Sequence, residues 1–304
     1  MAQFDSQTPP RISNVDYNTI RNKVVDILGT GSATKGYGQT VQSTAVTAGN
    51  TITKAQWDAL RYDIINIKLH QDGEPPPIVS VPSGQPIRFG AGHPNSNYDS
   101  IIEQATLARF NIGGGQSIVS TKATRTYTSS WGALAETELT VTFANADQAR
   151  YFFNSGGKLR FTSSRVGGSV SSQNNAWTNL LSAVGTQIFG GNVPANVNFY
   201  TLTNSYNDGI FYTLSSSTPY SNNNYQLAAK CNVSSNVAGT ASILYIRIRW
   251  TDSYVDLGAP APGDLVDGTL SIQVEEFKAT GSLEPSGSFT ITSPTYSLST
   301  ISAS

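Results

Sequence analysis

The chain has little of what most chemistry needs. Its 304 residues hold one cysteine, one methionine and two histidines, and only 13% of them are charged. One cysteine excludes a disulfide framework within the chain, and two histidines with it exclude a Cys/His zinc site. No hydrophobic run approaches the roughly 20 residues of a membrane span. Lysine and arginine number 19 against 20 acids, a net charge of −1, so no long-range field draws nucleic acid. The opening MAQFDSQTPP lacks the basic and apolar regions of a signal peptide. What is present is neutral and polar: 37 serines and 32 threonines, 27 glycines, and 30 aromatics that argue against disorder. Length alone suggests about two domains of ~100–200 residues.

The periodicity of the apolar residues divides the chain. Ser13 with Asp16 three residues on opens a capped helix whose stripe is Tyr17, Ile20, Val24 and Ile27, with Gly29 placed to end it. Thr53 with Gln56 opens a second, striped by Trp57, Leu60, Ile64 and Ile67 and stopped by Gly73. A short third helix is expected over 99–108. These stripes are thin, so residues 1–110 are read as a helical region for assembly or attachment. Residues 111–115, NIGGG, form the expected linker, because a glycine run has no side chains to pack.

Beyond the linker the period falls to two. Alternation predicts strands at 121–130, 138–143, 158–162, 199–203, 210–214, 243–250 and 269–277. Helices are expected at 146–154 and 175–184. Residues 116–304 are therefore read as a β-rich, mainly antiparallel domain with two packed helices, and the whole chain as α+β.

Candidates for chemistry are few, and each has a plainer explanation. The loop from Gly29 to Gly36 is glycine-rich, but its lysine precedes the last glycine and it follows a helix, unlike a phosphate loop. His70 and His93 have no acid and serine arranged beside them, and read as solvated or capping side chains. Cys231 reads as a small buried hydrophobe. Glu136 with Glu138 and Glu275 with Glu276 are the nearest carboxylate pairs, and the first looks like a solvent face. Asp252, Asp256, Asp264 and Asp267 could hold calcium, but without the spacing of an EF-hand loop. Arg247 and Arg249 beside Tyr245 read as the polar side of a strand. No catalytic, cofactor-binding or metal-binding residue is assigned, and no cofactor is expected.

Residues 143–161, FANADQARYFFNSGGKLRF, resemble a stretch of virion structural proteins of tailed phages, especially those of cyanobacteria. The runs DLGAPAPGDLVDGTLS at 256–271, GSLEPSGSF at 281–289 and SPTYS at 293–297 look like the end of the same family. The resemblance covers roughly residues 120–297 and is looser before 110. It implies a particle component of tail, baseplate, collar or fibre, located in the virion, with no catalytic residues to carry over. Expected partners are other copies of the chain and other virion proteins, not nucleic acid or membrane. The alternative is an adhesin module for a host receptor or surface glycan, with the Tyr- and Asn-rich loop from Tyr220 to Tyr225 in contact with sugar.

Overall fold

The computed structural model describes residues 12–85, 87, 97–254 and 265–304. The chain is α+β, with N-terminal helices followed by β-rich, antiparallel structure. It divides into two compact units: residues 1–118 with 150–156 and 278–292, and residues 119–149 with 157–277 and 293–304.

The first unit begins with α1 (Asn14–Ile27), α2 (Lys54–Asp72) and α3 (Tyr98–Leu107). Both expected capping boxes form. The Ser13 hydroxyl accepts from the Asp16 amide and the Thr53 hydroxyl from that of Gln56. Gly73 ends α2 in the left-handed region, at φ 81°. At the end of α1 the cap is Leu28 rather than Gly29. The stripes of α1 and α2 are sealed within the single chain: Tyr17, Ile20, Val24, Ile27, Trp57, Leu60, Ile64 and Ile67 are each at most 1% exposed. Trp57 stacks on Tyr98, with ring centroids 4.8 Å apart. Burial of each such side chain contributes about 1.5–3 kcal/mol. The stripes of residues 1–110, read as a region for assembly or attachment, are thus spent on packing within the chain.

The glycine stretch 111–115 is not a loose tether either. The Gly113 amide donates to the His70 carbonyl at 2.8 Å. A Cβ on Gly113 would lie 2.0 Å from the Gly73 nitrogen. Two backbones meet there more closely than any side chain allows, which is why glycine is needed. The division between units falls after Ile118 instead, and the first unit also takes in 150–156 and 278–292. The simple division at 111–115 fails because these two later segments complete the helical core.

In the second unit, β1 (Ser117–Tyr127), β8 (Thr269–Ala279), β3 (Lys158–Val166) and β4 (Thr186–Gly190) form a four-stranded sheet in that spatial order. A six-stranded sheet runs β10 (Ser302–Ala303), β2 (Leu134–Thr142), β7 (Ile243–Thr251), β6 (Asn224–Cys231) and β5 (Ile210–Ser215), with β9 (Thr295–Leu298) also on β2. Strict alternation sets the β2–β7 register. Leu139 opposes Ile246 on the buried side, and Glu138 opposes Arg247 on the other. The two sheets meet through aromatics: Phe211 of β5 lies 5.2 Å from Phe189 of β4 and 6.1 Å from Phe161 of β3. The Ser163 hydroxyl donates to Tyr225 across the same space.

Helix α4 (Ala146–Asn154) starts at a cap from Asn145, whose side chain accepts from the Gln148 amide. Helix α5 (Ser172–Val184) packs on β3 and β5, with its Trp177 edge-on to Trp131 at 5.0 Å. The expected strand at 199–203 is instead a 3-10 turn at Phe199–Thr201. The Asn198 side chain accepts from the Tyr200 amide and the Thr201 hydroxyl closes back on the Asn198 amide, so local capping overrides the alternation.

Candidate functional site

The glycine-rich loop after α1 is a clamped connector. The Arg150 guanidinium donates to the carbonyls of Ala33 and Thr30, both at 2.9 Å, and the Asn154 side chain donates to that of Gly36. Its carbonyls face these donors, an arrangement unsuited to cradling a phosphate.

His70 is buried, which corrects the expectation of a solvated or capping side chain. Its Nε2–H donates to the Ser155 carbonyl at 3.0 Å, and it is 2% exposed. Burial pulls its pKa down from 6.5 to about 4, so the ring is neutral at pH 7. His93 lies outside the described residues. Cys231 is buried, its thiol pushed up by desolvation and directed at the Val233 carbonyl. That is the opposite of an activated nucleophile.

The carboxylates are held by donors. Asp267 accepts from the Ser169 amide at 3.0 Å, from Asn174 Nδ2 at 2.5 Å and from Arg165 Nη2 at 3.3 Å. The Ser169 amide leads the interactions that lower its pKa. Asp252 accepts from Gln173, from the Trp177 indole at 3.2 Å and from the Tyr254 amide, and desolvation raises its pKa. Both are ringed by N–H groups, the reverse of a calcium site. Asp256 and Asp264 lie outside the described residues. Among the described residues, no three His, Cys, Asp or Glu side chains converge to hold a metal ion.

Glu136 and Glu138 share a face, as strand alternation requires, but that face is not bare. Arg249 donates to Glu136 through Nε, at 2.7 Å. Glu138 accepts from the Tyr206 hydroxyl at 2.5 Å. The Tyr206 ring also lies 4.5 Å from the Arg247 guanidinium and 4.6 Å from the Lys230 ammonium. Tyr206 therefore latches its loop onto the polar side of β7. Sequence reasoning set Tyr245 there and missed Tyr206, which no local pattern connects to β7.

Two further buried carboxylates were not singled out as structural groups. Asp63 of α2 accepts from the Gln42 and Ser43 amides at 2.9 Å each and is fully buried; desolvation raises its pKa. Glu276 is also fully buried, accepting from Tyr296 at 2.7 Å and Ser293 at 3.0 Å, with Lys122 at 3.2 Å.

The loop expected to touch sugar is divided: Ser221 and Asn222 are exposed, whereas Asn223 and Tyr225 are buried. Tyr225 is in the core, and Asn223 is 1% exposed and accepts from the Ser253 and Tyr254 amides. Tyr220 pairs with Tyr254 at 4.5 Å. A cavity of about 790 Å³ in the first unit lies between the starts of α1 and α2, beside Trp57. Three of its polar lining residues are engaged locally: Ser13 with Asp16, Thr53 with Gln56, and Lys54 with Asp58 and Ser80. Among the described residues, no helix is long and apolar enough to cross a membrane.

No family model, curated protein or solved structure matches the chain.

Proposed function

We propose that this chain is a structural subunit of a tailed-phage virion, working by protein–protein assembly with copies of itself and other virion proteins. The observation that carries the reading is the engagement of its scarce ionisable groups within the fold. His70, Asp63, Asp252, Asp267 and Glu276 each hold separate chain segments together. A site for chemistry needs acids, bases and donors converging on a space for substrate. Here each is taken up separately by its own neighbours in the fold. The resemblance over residues 120–297 and the neutral, hydroxyl-rich composition supply the particle context. The adhesin reading is the weaker one, because two residues of its loop, Asn223 and Tyr225, are buried in the fold.

The test is quantitative mass spectrometry of purified particles from cells carrying this gene. The reading expects the chain as an intrinsic component in several copies per particle. A chain found only in the soluble lysate would overturn it.

A further inference from the structure

We draw no further inference here: the strongest candidate, the cavity of about 790 Å³ in the first unit between the starts of α1 and α2, has Ser13, Thr53 and Lys54 on its walls already engaged with their own neighbours, and nothing in the structure shows what covers it.

Discussion

The imidazole of His70 lies face to face with the ring of Phe289, centroids 4.1 Å apart and planes 7° from parallel. Tyr37 meets the same imidazole edge-on at 5.0 Å. The contact joins α2 to the 278–292 segment, and the hydrogen bond to Ser155 adds the 150–156 segment. One neutral histidine thus stitches together three pieces of the first unit that are far apart in sequence.

Acid should loosen that stitch. The folded-state pKa of His70, about 4, lies below the usual 6.5, so the unfolded chain binds the extra proton first. Its contribution is complete above pH 6.5 and is lost as pH falls toward 4, by about 3 kcal/mol at most. Asp63, whose pKa is raised, works in the opposite sense, gaining stability as the solution becomes more acid. Thermal melting of wild type and His70→Phe between pH 7 and 4 separates the two. The wild type should lose more stability over this range than the variant; parallel curves would show that His70 does not titrate as described.

The glycines of 111–115 should differ sharply from one another. Gly113→Ala drives a methyl into the Gly73 backbone and should cost at least the ~1–3 kcal/mol of overpacking. Gly114→Ala meets nothing within 4 Å and should be neutral, or stabilising by a few tenths up to ~1 kcal/mol. Chemical denaturation of both variants checks this. Equal, small effects would mean that the stretch is a tether after all.

Gly156 turns the chain from α4 into β3 at φ 83°, and a Cβ there would sit 3.1 Å from Ile112 Cβ and the Phe110 carbonyl oxygen. Gly156→Val should destabilise by at least ~1–2 kcal/mol. A melting temperature equal to wild type would contradict this account of the turn.

Much of this architecture is legible in local patterns, and its limits are instructive. The boxes Ser13/Asp16 and Thr53/Gln56 and the helix at 146–154 are written in neighbouring residues. So is the alternation of Ile246, Ile248 and Trp250 against Arg247 and Arg249. β6 escapes because Ala228, an apolar residue at a position where alternation expects a polar one, interrupts the two-residue period of Tyr225, Leu227, Ala229 and Cys231. β9 and β10 are too short and too rich in serine and threonine to stand out, and exist by pairing with β2. The partners of His70, Asp63 and Tyr206 come from distant segments, and no local signal names them.

The engagement of the ionisable groups also predicts an absence of turnover. Incubation with ester and peptide substrates and with bacterial surface polysaccharide should leave all of them intact. Hydrolysis abolished by a single substitution of a described acid or histidine would refute the scaffold account.

The claim that the chain builds a particle is tested most directly by cryo-electron microscopy of whole particles at a resolution that places its sheets. The account predicts the two-sheet unit repeating by symmetry within a tail, collar, baseplate or fibre, in direct contact with neighbouring subunits. Particles complete in every layer but containing no density for this chain would contradict it.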